Sequence, residues 1–271
     1  MTASEKETAS QSDDTMRIWY QSFVDLQQQQ SYIERLKEGL HSYAEPKTAF
    51  EVHGIDPPDR YLHPLTEFRC ASRTIRNAIE AEQLGYDAFV IGHFQEPGLL
   101  ESRATIDIPV VGLGEATTLY ACSLGRKVGL VTINPVFIPW HQEQIAHYGL
   151  EKRVIDVSSI DAQVSTFTRA FQDESTYLKV REEFVRQAKP LLKKGVEVII
   201  PAGGLPMLLF AREREFTIDG AVVLNGIAVI AKAAEMSVKL HRLTGVVASR
   251  AGTFAKAPAE AVKEFLASAG N

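Results

Sequence analysis

The sequence predicts an α/β fold of two similar lobes, each with a central parallel sheet flanked by helices. From Met16 onward, short β-branched runs alternate with segments of helical periodicity, the pattern of βα units on a parallel sheet. Several of the predicted strands end in a small or turn-forming residue just before a helix. Two stretches, 85–93 and 195–203, share one pattern, which favours two similar lobes, although any two buried strands followed by a glycine turn would look alike.

The strand candidates are short runs rich in β-branched and aromatic residues. They cover 17–22, 48–54, 87–92, 109–112, 127–132, 153–157, 196–201 and 221–224. Between them, apolar side chains recur at helical spacing and predict one buried face per helix. Two such faces are formed by Ile33, Leu36, Leu40 and Tyr43, and by Tyr177, Val180, Phe184, Ala188 and Leu191.

The echo between the two stretches predicts where a site lies. When "GYDAFVIGH" at 85–93 is set on "GVEVIIPAG" at 195–203, both read as a glycine turn, an acidic residue and a buried strand. The strand tips differ, because His93 falls on Gly203. Ligands of parallel sheets bind beyond the carboxyl ends of the strands, so we expect a site between these tips.

The totals exclude several classes of protein. A chain of 271 residues suits one large or two modest domains, and a formal charge of -5 argues against a nucleic-acid partner. The first fifteen residues are polar and predict a disordered tail, and no stretch reaches the length of a membrane span. Only Cys70 and Cys122 are present, in helix-like segments, which argues against a disulfide scaffold or zinc site and favours a cytoplasmic location.

Five motifs carry a family resemblance. They are "GYDAFVIGHFQEPGL" at 85–99, "IPVVGLGEA" at 108–116, "GRKVGLVTINP" at 125–135, "VLNGIAVIAKAAE" at 223–235 and "SRAGTF" at 249–254. In this order and spacing, the chain from about 16 to 255 resembles the hydantoin racemase branch of the aspartate/glutamate racemase superfamily.

The resemblance implies an architecture and a class of ligand. It implies two lobes related by a pseudo-twofold axis, an active site in the cleft between them, no cofactor, and a small-molecule carbonyl or carboxylate substrate. A homo-oligomer is expected. We expect lobe 1 to comprise 16–114 plus 226–271, and lobe 2 to comprise 115–225.

Members of this family typically use two cysteines, one per lobe, on opposite faces of the substrate carbon. The first follows a strand in a G-C-F pattern, which reads G-H-F here at 92–94. The second lies in G-C-A-G, where the register of the echo gives A-G-G at 202–204. Both thiols are therefore absent, so the usual two-thiol racemisation is not expected.

The resemblance places His93 at the family's proton-transfer position. An imidazole titrates near neutral pH, at a pKa of about 6.5, and can take or give a proton there. A ring that is merely hydrogen-bonded at a turn is the alternative. Gly203 offers no acid or base, but its N–H and those of Gly204 and Leu205 could hold an oxyanion. A glycine required only for turn geometry fits the same position.

Other strand ends supply candidate substrate contacts. By resemblance, the turn of Thr132, Ile133 and Asn134 binds a carboxylate or ring carbonyl, although helix capping also explains Thr or Asn there. The remaining candidates are Gln21, Ser22, Phe94, Glu115 and Asn225. Glu115 also suits a helix N-terminus through the dipole alone. The pairs Arg60-Tyr61 and Trp140-His141 are read either as a lid or substrate wall, or as ordinary surface residues.

Three functions remain open from the sequence. The first is an enzyme that moves a proton next to a carbonyl or carboxylate with one base, as a racemase, isomerase or decarboxylase. The second is a hydrolase of a cyclic amide or imide in which His93 activates water. The third is a binding protein that retains the cleft without catalysis.

Overall fold

The computed structural model describes residues 15–27 and 29–268, and all structural statements below concern these residues. The predicted disordered tail lies outside them except for Thr15. The strands are β1 (Met16–Gln21), β2 (Thr48–His53), β3 (Ala88–Ile91), β4 (Val110–Gly112), β5 (Val128–Thr132), β6 (Val154–Ser159), β7 (Val198–Ala202), β8 (Thr217–Ile218) and β9 (Ala221–Val223). Every predicted strand is present within two residues of its expected limits, and only β8 was not predicted.

Helices connect the strands. They are α1 (Gln30–Tyr43), α2 (Pro64–Gln83), α3 (Leu99–Thr105), α4 (Leu113–Leu124), α5 (Phe137–His147), α6 (Val164–Ala170), α7 (Glu174–Lys193), α8 (Gly204–Phe210), α9 (Gly226–Thr244) and α10 (Ala259–Ser268), with a short 3-10 helix at Gly252–Phe254. The apolar faces predicted for α1 and α7 are the faces that they bury, apart from the half-buried Tyr43. Cys70 lies in α2 and Cys122 in α4, as the sequence predicts.

The strands form two sheets of matching order. The first sheet runs β2-β1-β3-β4 and is parallel throughout. The second runs β6-β5-β7-β9, also parallel, and adds β8 antiparallel at its edge. In both sheets the central pair therefore consists of the first and third strands of its half of the chain. The predicted α/β fold with two similar lobes is confirmed.

The echo between 85–93 and 195–203 has a physical basis in both lobes. Gly85 and Gly195 adopt φ of 73° and 82°, the left-handed turn that glycine favours. Two residues later, a side-chain carboxylate accepts a hydrogen bond from a backbone N–H at the start of the neighbouring strand. Asp87 accepts from Arg17 at 2.8 Å in lobe 1, and Glu197 accepts from Arg126 in lobe 2. The same turn and the same anchor thus deliver β3 and β7 to corresponding positions.

The core packs between and around the sheets. One apolar cluster includes side chains from β1, β3, β5 and β7 together with α1 and α9, and α9 packs against β1, β3 and β4 of the first sheet. This arrangement brings the carboxyl ends of the two sheets toward each other. None of the helices within 15–27 and 29–268 combines the length and apolarity needed to cross a bilayer.

Candidate active site

A cleft of about 720 Å³ lies between the ends of β3 and β7. The two tips approach closely, because a Cβ atom built on Gly204 would stand 3.2 Å from the carbonyl oxygen of Gly92. The wall of the cleft includes both apolar and polar side chains. Among them are Phe23, Tyr32, Asp59, Arg60, Tyr61, His93, Phe94, Gln95, Ile133, Phe137, Thr168, Arg169 and Leu205. The backbone of Gly203 and Gly204 completes the wall on the side of lobe 2.

His93 follows β3 and is surrounded by groups that bind its ring. Its Nε2 lies 3.4 Å from Oδ2 of Asp59 and 3.8 Å from Oε1 of Glu67. Its Nδ1 accepts a long hydrogen bond of 3.3 Å from the N–H of Gln95. The ring also packs edge-on against Phe23, with centroids 4.7 Å apart. The imidazole is therefore held in place by two carboxylates and an aromatic ring.

The carboxylates decide the charge of the cluster. Burial alone lowers the pKa of His93, but the negative charges of Glu67 and Asp59 outweigh it, so the pKa is raised above the ordinary value. Burial also raises the pKa of Glu67. His93 is consequently a stronger base than a free imidazole, and its protonated form is stabilised by its neighbours.

Asp59 is the cluster member with an unused atom. Its Oδ2 faces His93, while its Oδ1 is buried and lacks a hydrogen-bond partner within the described chain. The ligand atoms of Asp59, Glu67 and His93 all lie within 4.8 Å of one another, which makes these residues candidates for holding a cation. A protonated imidazole between two carboxylates accounts for the same spacing.

Gly203 presents no acid or base at the opposite tip. Its φ and ψ are both 147°, a conformation essentially restricted to glycine. A Cβ atom here would meet Pro206 at 3.1 Å and Ile133 at 3.9 Å, so the immediate surroundings are apolar. The backbone itself disfavours any side chain at this position, including a thiol.

Tyr32 supplies the titratable group that lies beside this tip. Its hydroxyl stands 3.3 Å from the position of a Gly204 Cβ atom, and the residue is only 3% exposed. Burial raises the pKa of Tyr32, so the phenol keeps its proton at neutral pH. The cleft thus has a titratable cluster at one tip and a neutral hydrogen-bond donor at the other.

Comparison with known proteins agrees with this architecture. The model of the Asp/Glu/hydantoin racemase family matches residues 29–234. The chain belongs to this family. It is 27% identical over 178 residues to a hydantoin racemase of Pseudomonas sp. (strain NS671), which covers 66% of this chain and 69% of that protein. A hydantoin racemase of Rhizobium meliloti is 26% identical over 163 residues, 58% of this chain and 62% of that protein.

Solved structures show the same fold. An allantoin racemase from Klebsiella pneumoniae superimposes with a TM-score of 0.72 at 22% identity, over 90% of this chain and 94% of that one. A glutamate racemase from Thermus thermophilus gives a TM-score of 0.57 at 16% identity, over 96% of this chain and 94% of that one. The resemblance stated from the sequence motifs is therefore confirmed, and the protein is a racemase-like enzyme by family.

In this racemase-family cleft, the turn after β5 contributes less than the sequence predicts. Ile133 lines the cleft, as does Phe94 after β3. Thr132 is fully buried behind it, where its hydroxyl lies 3.2 Å from the carbonyl of Ala202. The Oδ1 of Asn134 accepts a hydrogen bond from the N–H of Val136 in the turn before α5, whose N-cap is Val136 itself.

Other predicted substrate contacts have protein partners outside the cleft wall. Gln21 is completely buried and its Oε1 accepts from the side chains of Trp19 and Asn77. The adjacent Ser22 is also buried. Glu115 forms an ion pair with Arg103, and it lines a second cavity rather than the cleft.

Three further sets of candidates differ in their position relative to the cleft. Asn225 caps α9 by accepting from the N–H groups of Ile227 and Ala228. Arg60 and Tyr61 do line the mouth of the cleft and are exposed. His141 is no lid or wall, because it is fully buried behind the cleft.

The sequence reasoning missed Asp59, Glu67 and Tyr32. Asp59 lies in the loop before α2, and no local pattern marks it. Glu67 is in the first turn of α2, where the helix dipole alone explains an acid. Tyr32 could have been found, because it precedes the apolar face of α1 by one residue and carries a polar tip.

Proposed function

We propose that this racemase-family protein exchanges a proton at a carbon next to a carbonyl or carboxylate group, with His93 as the single acid–base group. One observation carries the proposal. His93 lies between Asp59 and Glu67 in the cleft, whereas Gly203 at the opposite tip has no side chain and the nearby Tyr32 phenol keeps its proton at neutral pH. A base that works at neutral pH therefore faces the substrate from one side only.

Proton removal follows from the charges around the ring. The C–H bond breaks, its proton passes to the imidazole of His93, and its electron pair moves into the carbonyl to form an enolate. Asp59 and Glu67 stabilise the imidazolium that forms, which is why the pKa of His93 is raised. Because Nε2 faces Asp59 and Glu67, the proton is taken by Nδ1, which otherwise accepts only the long 3.3 Å hydrogen bond from the N–H of Gln95.

The enolate oxygen needs hydrogen-bond donors. The Tyr32 hydroxyl keeps its proton at neutral pH and lies at the opposite tip, beside Gly204. The first turn of α8 adds backbone N–H groups that have no acceptor within the helix. Donors placed where negative charge develops stabilise such an intermediate by several kcal/mol.

A single base has a stereochemical consequence. A proton returned by the same ring reaches the face it left, so the configuration is retained unless the planar intermediate turns over in the cleft. We therefore expect exchange of the α-proton with solvent to be faster than inversion. An enzyme with a base on each face shows the opposite, since each exchange inverts the centre.

Proton NMR in deuterated buffer tests the proposal. The panel contains 5-substituted hydantoins, for which the family relatives are named, with amino acids, 2-substituted malonates and cyclic imides beside them. We expect one α-proton signal to disappear with wild-type protein and to persist with His93→Ala, while optical rotation decays more slowly than the signal. Ring-opened product carrying solvent oxygen would instead show a hydrolase, and exchange that always accompanies inversion would reveal a second base.

A further inference from the structure

A chain of hydrogen bonds runs behind the cleft and joins its two tips. It begins in lobe 1 at the carbonyl of Phe94, the residue after His93, which accepts from the side-chain amide of Gln144 on α5. The Oε1 of the same amide lies 3.2 Å from Nδ1 of His141, one turn earlier on the helix. One end of α5 is thus bonded to the backbone that carries His93.

The second half of the chain reaches lobe 2. Nε2 of His141 lies 3.2 Å from the hydroxyl of Thr132 at the end of β5. That hydroxyl lies 3.2 Å from the carbonyl of Ala202, the residue before Gly203. Because His141 has no exposed surface, its ring nitrogens have only these partners to satisfy them.

The number of protons fixes the direction of the bonds. The Gln144 amide nitrogen donates to Phe94 and to the Tyr148 hydroxyl at 2.7 Å, so its oxygen must accept from Nδ1–H of His141. Burial lowers the pKa of His141 to about 4, so the ring is neutral and its Nε2 is an acceptor. The single proton of Thr132 therefore serves two acceptors, His141 and Ala202.

The residues around this chain of hydrogen bonds are closely packed. A Cβ atom at Gly114 would overlap both the Phe94 carbonyl and the Gln144 amide, so the absence of a side chain there permits their contact. The His141 ring also packs edge-on against Phe94, with centroids 5.0 Å apart. The bonds run through a filled interior in which small displacements of one tip are transmitted to the other.

We propose that His141 is a positioning residue that holds the His93 tip and the Gly203 tip at the separation required for proton transfer. The inference rests on the function proposed above. His141 contacts neither His93 nor Gly203; it acts through Gln144 and the ring of Phe94 on one side and through Thr132 on the other. A misplacement of about 1 Å between reacting groups is enough to reduce turnover about a hundredfold.

A double-mutant cycle between Thr132→Val and Gln144→Leu tests the connection, because these two side chains meet only through His141. Each single variant is expected to lower kcat for α-proton exchange about tenfold and to leave KM within about twofold. If both substitutions interrupt the same connection through His141, kcat of the double variant falls about tenfold rather than about a hundredfold. In the His141→Asn background, Thr132→Val should then cost no more than about twofold.

Thr118→Val is the matched control. Thr118 is equally buried, and its hydroxyl bonds only to the carbonyl of Gly114 within α4. It should lose a similar amount of thermal stability with kcat within about twofold of wild type. Losses that multiply in the double variant, or an equal loss of kcat in Thr118→Val, would overturn the inference.

A measurement without turnover separates this inference from the proposed reaction. In ¹⁵N-histidine NMR, His141 should be the Nδ1–H tautomer and stay neutral down to about pH 4. The same cycle read in thermal midpoints should also be non-additive. If wild type exchanges no α-proton but these signatures are present, the proposed reaction is wrong while the connection through His141 is supported. An Nε2–H tautomer or additive thermal midpoints would refute that connection.

Discussion

The tips of β3 and β7 occupy equivalent places in two similar lobes and have opposite chemistry. The β3 tip carries His93 between Asp59 and Glu67, and the β7 tip carries Gly203 against Pro206 and Ile133. The turns and acidic anchors that deliver both strands are the same. The repeated turn, anchor and strand therefore determine where each tip lies, while the last residue of the repeat, His93 or Gly203, determines whether the tip carries a titratable side chain.

Removing the His93 side chain should abolish the chemical difference between the two tips and give the largest effect. His93→Ala should reduce α-proton exchange about a thousandfold, because general acid–base catalysis contributes 10²–10⁴-fold. The rate is read by NMR in deuterated buffer. His41→Gln, an exposed histidine on α1, serves as the control and should be unchanged. A His93→Ala protein that retains a tenth of the rate would move the base elsewhere in the cleft.

A further acid, the buried Glu96, follows the β3 tip by three residues, whereas Pro206 occupies the corresponding position after the β7 tip. Glu96 is 6% exposed, and it accepts from the Glu115 N–H at 2.7 Å and from the Tyr148 hydroxyl. Burial raises its pKa to about 7 from an ordinary 4.5. The folded state therefore binds this proton more tightly than the unfolded state does.

Stability should consequently depend on pH through Glu96. A raised pKa contributes fully below about pH 4.5, and the contribution is lost as the pH rises through about 7. The loss is on the order of 3 kcal/mol, so Glu96→Gln should flatten urea-unfolding free energies measured between these limits. Glu101→Gln, an exposed acid on α3, should leave the slope unchanged. Parallel slopes for wild type and Glu96→Gln would contradict the prediction.

Adding a side chain at Gly203 tests the β7 tip in the same comparison. Gly203→Ala should cost about 2–3 kcal/mol of unfolding free energy, because its conformation suits glycine alone and the new methyl group meets Pro206. Gly220→Ala is the matched control, since its φ of 89° also favours glycine but nothing lies within 4 Å of its Cβ position. It should cost about 1 kcal/mol in the same assay. Equal costs would show that crowding at the β7 tip is unimportant.

The smallest expected effect concerns the partner of His93. Asp59→Asn removes one of the three carboxylate charges, from Glu67, Asp59 and Glu96, that raise the pKa of the imidazole, so this pKa should fall and the base should weaken. We expect about a tenfold loss of exchange rate. Proton NMR titration of the His93 ring gives the pKa directly. A ring whose pKa does not fall in Asp59→Asn would place the charge effect on Glu67 and Glu96.

Much of the fold was predictable because its signals are local. Buried parallel strands are short β-branched runs, and the turns at Gly85 and Gly195 need left-handed backbone, so the sequence marks both. The register of the echo also placed His93 and Gly203 at corresponding tips. The structure brings both to one cleft.

The remaining site residues were hidden because their roles arise from distant contacts. Asp59 and Glu67 lie in the loop before α2 and in its first turn, and reach His93 only through folding. Gln21 and Asn225 are polar residues at strand ends, as site residues are, yet each is bonded by neighbouring protein groups. Position at a strand end therefore predicts proximity to a cleft, but not which way a polar side chain is used.

The backbone at Gly203 also limits which substitutions this position can accept during evolution. A single codon change to cysteine would place a side chain on φ and ψ values of 147°, where L-residues are strained. A thiol at this position would therefore require the turn itself to be rebuilt by further substitutions. Substitutions in the cleft wall around His93 meet no such backbone constraint, so they are the more accessible way to alter this cleft.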